Sequence, residues 1–376
     1  MNPAADPFLS EALTLLGPRG LTADAELMEP WLTDWRGRYT GAARGLASPA
    51  DAQELAELVK LCARHGVPIV PQGGNSGMSG GATPDASGAA LIVSLRRMNA
   101  IRRLDPQART VVCEAGVILQ SLHEAAEAHG LRFPLTLGGK GSATVGGLIS
   151  TNAGGTQVLR HGSMRAQVLG IEAVLADGTI YSALTPLKKD NRGWDLKQLF
   201  IGSEGTLGLV TAATLRLVPA APARMVVWAG LSSIQQARAL LLHCETQAGQ
   251  ALEGFEVLPQ SCLDAVLAYL PDARAPLAGR HPWHALIELI GDDPQAAGEA
   301  MLASALEAGL LEDAVIAASE AQADAFWNLR ESISPAERAK GPAMQHDIAV
   351  PVERMADFLE AAVPAMESRW PGTRAF

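Results

Sequence analysis

The chain has 376 residues, 48% of them hydrophobic and 19% charged, and a net charge of −10 at pH 7. That length exceeds what a single ordinary core organises, so two domains are expected. The acidic balance argues against a nucleic-acid or anionic-membrane partner, and the longest apolar runs, such as "AALIVSL" and "HALIELI", are too short to cross a bilayer.

The opening stretch "MNPAADPFLSEALTLLGPRG" has no basic n-region, so no signal peptide is expected and the predicted location is cytoplasmic. Cys62, Cys113, Cys244 and Cys262 lack CxxC spacing and read as small buried hydrophobes of a reducing compartment. Residues 49–66 predict an amphipathic helix: Leu55, Leu58, Val59 and Cys62 recur at helical spacing, and Gly66 fits its stop. "VPIVP" is a short buried strand, followed by strands expected at 89–95, 98–104 and 109–115 and a helix near 118–129. "VLGIEAVLADGTIYSAL" predicts a hairpin with a type I′ turn at Asp177-Gly178. "DLKQLFIGSEGTLGLVTAATLRLVP" predicts a short helix, a glycine turn and a strand, and "PAAPAR" (219–224) a linker. Beyond it, strands are expected near 225–231, 251–257, 284–290, 314–319 and 343–350. Helices are expected near 232–248, 259–269, 294–308, 320–338 and 351–368, as in an α+β domain on a largely antiparallel sheet.

Three segments are unusually bare. "PQGGNSGMSGG" (71–81) has five glycines in eleven residues, "PLTLGGKGSATVGGLISTNAGG" spans 134–155, and "GSEGTLG" spans 202–208. None is a GxGxxG opening a helix, and "GGKGS" lacks both the hydroxyl residue after Lys140 and the leading glycine of a P-loop. Two readings stay open from pattern alone. The segments are hairpin turns of a β-rich domain, or they pool peptide N–H groups into a concavity for a diphosphate, which an acidic protein could hold without cationic side chains.

These three segments, with "RHGS" and "FIGSEGTLGLVT", closely resemble the vanillyl-alcohol-oxidase (PCMH) type of FAD-binding domain. Within it they are most similar to the FAD-linked D-2-hydroxyacid dehydrogenase family, which includes D-2-hydroxyglutarate dehydrogenase, D-lactate dehydrogenase and the glycolate oxidase catalytic subunit. The resemblance runs from about residue 30 to the last residue. It implies a two-subdomain FAD-binding domain over 1–219 and an incomplete α+β substrate (cap) domain over 220–376, of the FAD-linked oxidase C-terminal type. By it, Gly73, Gly74, Asn75, Ser76 and Gly77 wrap the FAD pyrophosphate. Gly138, Gly141, Ser142, Thr144, Gly147 and Gly154 line the flavin and ribityl side, and Gly205 and Val210 approach the adenosine or its linker through backbone atoms. Relatives that tether the flavin carry histidine where this chain has Asn75, so noncovalent FAD is expected.

In "FWNLRESISPAERAKGPAMQHDIAVP" (326–351) the helical spacing puts Arg330 and Ser334 one turn apart on one face. Taken alone, Arg330 reads as a solvated residue paired with a glutamate. The family resemblance makes it the clamp on the substrate carboxylate, with Ser334 also touching substrate. Gln345 stands where some relatives, notably the hydroxyglutarate enzymes, have a lysine for a second acidic group, which favours a smaller or less acidic D-2-hydroxyacid. The family's H-x-G-D-G-N segment and Glu-His pair, which supply metal ligands and the candidate base, do not occur in this sequence. Catalytic base, zinc or another divalent metal, and metal ligands are therefore expected only beyond Phe376. "HPWH" (His281, His284) is disfavoured as a metal site by Pro282, and His346 reads as a half-buried strand residue.

The implied reaction is hydride transfer from a D-2-hydroxyacid to flavin N5, giving the 2-oxoacid, with electrons passed to a protein or quinone acceptor. That acceptor would make the protein peripheral to the inner membrane, and a homodimer falls within the expectation. The alternatives are a flavin oxidase of another alcohol or sugar on the same fold, and a non-catalytic flavin-binding subunit.

Overall fold

The computed structural model describes residues 6–346 and 348–375; Met1–Ala5, Asp347 and Phe376 lie outside the described residues. The chain divides into two compact units, Met1–Ala220 and Ala221–Phe376.

The first unit opens with the helix Pro7–Leu16, then β1 (Leu21–Thr22) and β2 (Gly45–Ala47). The helix Ala52–His65 follows because Asp51 accepts hydrogen bonds from the Gln53 and Glu54 amides and so satisfies two of its free donors. Its Leu55, Leu58, Val59 and Cys62 face inward onto Phe8, Leu91 and Val93, each large apolar side chain contributing about 1.5–3 kcal/mol by burial. β3 (Ile69–Pro71) and β4 (Leu91–Val93) complete a four-stranded sheet of order β1-β2-β4-β3, in which β4 is parallel to both β2 and β3. Between β3 and β4 runs the first bare segment.

A second sheet is antiparallel throughout, in the order β5 (Ile101–Asp105), β6 (Thr110–Glu114), β10 (Leu209–Arg216), β8 (Val168–Val174), β9 (Ile180–Ala183). The centre of the ladder belongs to β10, which is buried from Leu209 to Leu215. The helix Leu119–Glu127 and the short helix Val145–Ser150 share a core with this sheet. A two-stranded ribbon joins β7 (Leu131–Arg132) to β11 (Val218–Pro219).

The second unit is one antiparallel sheet of order β13 (Leu252–Pro259), β14 (Trp283–Gly291), β12 (Ala223–Leu231), β15 (Asp313–Ile316). Alternation along β12 explains its two cores. Met225, Val227 and Ala229 meet the helices Ile234–Ala248 and Pro294–Glu307, while Val226 and Trp228 meet the helices Gln260–Tyr269 and Glu320–Glu331.

Several expectations need correction. The turn at Asp177-Gly178 is not type I′, because Asp177 is absent from the positive-φ residues. Gly178 N–H instead donates to Leu175 O at 2.9 Å, and Leu175 N–H to Thr179 O at 2.9 Å, which widens the loop. The linker is shorter than 219–224, since Ala223 and Arg224 already pair with Gly291 and Ile290. The helix expected over 320–338 is two helices, Glu320–Glu331 and Ile333–Ala339. Pro335 has no N–H for Glu331 O and its ring crowds that carbonyl, so the chain breaks at Ser332. No strand forms at 343–350 among the described residues. Met344 and Ile348 are exposed, and among the described residues the segment pairs with no strand, without which strand propensity has no effect.

The second unit also contains a polar knot. Trp228 Nε1–H donates to His284 Nδ1 at 3.0 Å, so the ring carries its proton on Nε2, which donates to Gln260 Oε1 at 3.0 Å. Burial, reinforced by nearby His281, lowers the His284 pKa from 6.5 to about 4. Between those values the unfolded chain binds a proton that the folded chain refuses. The stabilisation present at neutral pH is therefore lost as pH falls from 6.5 to about 4. The denaturant midpoint of the wild-type chain is expected to fall over that window, and that of His284→Gln to fall distinctly less, as read by tryptophan fluorescence. Parallel decline of the two would contradict this assignment.

Candidate functional site

The first bare segment leaves the end of β3 under tight control. Gln72 N–H extends the ladder to Val93 O at 2.9 Å, and Gln72 Nε2 donates to Trp31 O at 3.0 Å and Ala82 O at 2.8 Å, closing the loop at its base. Asn75 takes a left-handed φ of 49° and donates from Nδ2 to Thr33 O at 2.8 Å. From Gly73 through Gly77 the amides of Gly73, Gly74, Asn75, Ser76 and Gly77 donate to no protein acceptor among the described residues. Five consecutive donors without partners need water or a ligand.

The second segment packs main chain against the first. A Cβ on Gly74 would lie 1.8 Å from Ser142 O, and one on Gly73 would lie 2.5 Å from Thr144 Oγ1. Thr144 caps the helix Val145–Ser150 by accepting from Gly147 N–H at 3.3 Å. The amides of Gly138, Gly141 and Thr144 likewise have no protein acceptor among the described residues. The third segment is built on the end of that helix: Gly202 N–H donates to Ile149 O at 3.0 Å and Glu204 N–H to Ser150 O at 2.8 Å. Gly205 sits against Pro71, at the mouth of the first segment. Arg165 fixes the turn's entry by donating to Gln198 O at 2.9 Å and Ile201 O at 2.5 Å.

The structure thus brings together three segments far apart in sequence. Gly73, Gly74, Gly141, Ser142 and Thr144 line one cavity of about 390 Å³, a size suited to part of a large ligand. Ser76 lies against Gly139, and Gly147 beside Gly73. Gly154 is exposed and outside that cavity. Val210 is buried in β10 opposite Ala173, which leaves only its main chain for any ligand. Trp31 and Arg96 also line the cavity, with the Arg96 guanidinium 5.0 Å from the centre of the Trp31 ring. The sequence carried no signal for this pair; Trp31 is placed by its packing on Met28, Leu46 and Ile92 and by the Gln72 hydrogen bond to its carbonyl.

A test of fit for FAD comes from glycines that the protein itself does not require. Gly77, Gly138 and Gly141 have no positive φ, and a Cβ on any of them would meet nothing within 4 Å. Neither conformation nor packing explains their bareness, which leaves the backbone there open to close approach by a ligand. The donor set fits a diphosphate.

In the second unit, Arg330 lies in the last turn of the helix Glu320–Glu331 and pairs with Glu256 of β13, with both Nε and Nη2 at 2.9 Å from Glu256 Oε2. That is the side edge of the guanidinium, and its Nη1/Nη2 end keeps free donors. Ser334 and Gln345 come together: Gln345 Nε2 donates to Ser334 Oγ at 2.9 Å and to Glu337 Oε2 at 3.1 Å, while Gln345 Oε1 is buried without a partner. Because the helix breaks at Ser332, Arg330 and Ser334 do not share one helical face. His281 bonds Glu312 at 2.9 Å and His284 is held in the polar knot. Among the described residues no cluster of three or more His, Cys, Asp or Glu could hold a metal. All four cysteines are buried, with burial pushing each thiol pKa up to about 12.

The sheet arrangement and the main-chain cradle define a mixed helix-and-sheet protein of the vanillyl-alcohol-oxidase type of FAD-binding fold. Two solved structures share the fold: an alkyldihydroxyacetonephosphate synthase (18% identity, TM-score 0.72, covering 97% of this chain and 75% of that one) and 4-ethylphenol oxidase from Gulosibacter chungangensis (17%, 0.72, 98% and 78%). The FAD binding domain family matches residues 43–183, and the C-terminal domain of FAD linked oxidases matches residues 220–369. A D-2-hydroxyglutarate dehydrogenase of Xanthomonas citri pv. viticola is 35% identical over 346 residues, covering 92% of this chain and 72% of the relative. The probable mitochondrial D-2-hydroxyglutarate dehydrogenase of Oryza sativa subsp. indica is 37% identical over 367 residues, and the mitochondrial enzyme of Bos taurus 36% over 351. These alignments cover 96% and 93% of this chain, which spans 65% and 64% of the two relatives' lengths. The chain belongs to the FAD-linked D-2-hydroxyacid dehydrogenase family.

Adding a methyl group separates the roles of these glycines. Gly77→Ala, Gly138→Ala and Gly141→Ala are expected to keep the wild-type melting temperature while weakening FAD about tenfold or more, by fluorescence titration. Gly74→Ala is expected to lower the melting temperature as well, because its methyl meets a carbonyl.

Proposed function

We propose that this chain serves the oxidation of a D-2-hydroxyacid to its 2-oxoacid, with FAD as immediate electron acceptor. Support comes from its family and from one observation in the second unit: Arg330 is held along its side edge by Glu256 and keeps its end free for a second carboxylate. A guanidinium so held is already oriented for a planar bidentate partner. Bound FAD supplies the hydride acceptor of such a reaction. The chain's own work is binding and orientation. Arg330 takes the carboxylate, the Ser334 hydroxyl takes a neighbouring polar group, and the main-chain amides of the first unit hold the diphosphate. Asn75 cannot form the flavin bond that a histidine forms, so the cofactor is held noncovalently. No base and no metal ligand is assigned to a residue of this chain. Electrons pass onward to a protein or quinone acceptor, from a cytoplasmic protein peripheral to the inner membrane. Among the described residues no helix is long and apolar enough to cross a membrane.

Anaerobic titration of the purified yellow protein with D- and L-2-hydroxyacids tests this directly. D-isomers are expected to bleach the flavin and L-isomers to leave it. Arg330→Met should raise the half-saturating concentration about 100-fold with full cofactor content. A normal response from that variant would remove Arg330 from the site, whereas bleaching only by another alcohol or a sugar would replace the reaction.

Gln345 bears on the substituent. Its amide lies between Ser334 and Glu337 and carries no charge, so this side chain offers a second acid group no positive partner. Gln345→Lys is expected to shift preference about tenfold from monocarboxylate toward dicarboxylate D-2-hydroxyacids, as a ratio of half-saturating concentrations. An unchanged ratio would exclude Gln345 from specificity.

A further inference from the structure

The cavity in the first unit is unusual in what its polar walls offer. Gly73, Gly74, Gly141 and Thr144 present amides without protein acceptors, Ser121 and Ser142 add hydroxyls, and no carboxylate lines it. In a protein of net charge −10 this wall has one charged side chain, Arg96. Neighbouring arginines are spent on structure: Arg97 donates to Ser48 O at 2.8 Å and lies 3.7 Å from Glu54, and Arg44 is paired with Asp6. Arg96 has no carboxylate within 4.0 Å among the described residues, and its guanidinium rests over the Trp31 ring at 5.0 Å. Trp31 in turn is fixed to the base of the amide loop through its carbonyl, which accepts from Gln72 Nε2 at 3.0 Å.

We propose that Arg96, parked on Trp31, is the side-chain cation that reads the diphosphate of the cofactor, with Trp31 as its positioning residue. The inference rests on the FAD reading and deepens it. A guanidinium lying over a ring keeps its N–H donors available to a ligand, and the contact restricts where an otherwise exposed side chain can go. The amides fix geometry, and Arg96 adds the charge that makes binding depend on the phosphates. Removing Arg96 therefore weakens ligands with a diphosphate and spares those without one.

Equilibrium binding of FAD and of riboflavin to the cofactor-free full chain, by flavin fluorescence, provides the test. Arg96→Gln is expected to weaken FAD about tenfold and to leave riboflavin within about twofold. The slope of FAD affinity against salt should be shallower in the variant than in the wild type, since one charge contact is gone. Arg96→Lys should recover part of the loss. Trp31→Leu should weaken FAD in the wild-type background and add little in Arg96→Gln, because the ring acts through the guanidinium. Equal FAD affinity in Arg96→Gln and wild type, or equal loss for FAD and riboflavin, overturns the proposal while leaving the cradle standing. A wild-type chain that binds neither ligand overturns the FAD reading itself, and Arg96's role with it.

Discussion

The first unit depends on one contact of main chain against main chain. At Gly74 the loop after β3 meets Ser142 O so closely that a Cβ would fall 1.8 Å from the oxygen. No side chain can occupy that point, and the approach is what sets two rows of amides around a single cavity. The rest follows from holding it still. Gln72 closes the loop, Thr144 caps the helix behind the second segment, and the third segment rests on the end of that helix through Ile149 and Ser150. A neutral main chain can hold a doubly charged group because its donors are already oriented and have no protein partner to give up.

The second unit works with side chains. Arg330 is one residue beyond Leu329, which is buried among Trp228, Leu258 and Phe326, and Glu256 is two residues before Leu258 on the same face of β13. The ion pair therefore stands at the rim of a packed core, where the backbone on both sides is fixed. The pairing that looked like an ordinary solvated salt bridge and the clamp implied by family resemblance are compatible, because they use different edges of one guanidinium.

Much of this was legible in the sequence, and the failures have physical causes. Helices with capped starts and clear periodicity, such as Ala52–His65 behind Asp51, lie where their patterns put them. The glycine segments showed where side chains were missing but not which peptide meets which, since convergence is a tertiary fact. Arg96 and Trp31 were invisible because nothing in "SLRRMNA" or "EPWLTDW" marks either residue, and their contact is a tertiary one. The break at Ser332 was readable from Pro335 and was outweighed by the helical pattern around it. That no strand forms at 343–350 among the described residues shows the limit of propensity, because a strand exists only beside a partner.

The central claim is that bare amides of separated loops hold the cofactor's diphosphate, and amide hydrogen exchange with and without FAD measures it most directly. The account predicts fast exchange at Gly73–Gly77 and at Gly138 and Gly141 in the cofactor-free chain, and strong protection of both stretches together when FAD is added. FAD bound with those amides still exchanging freely would contradict it.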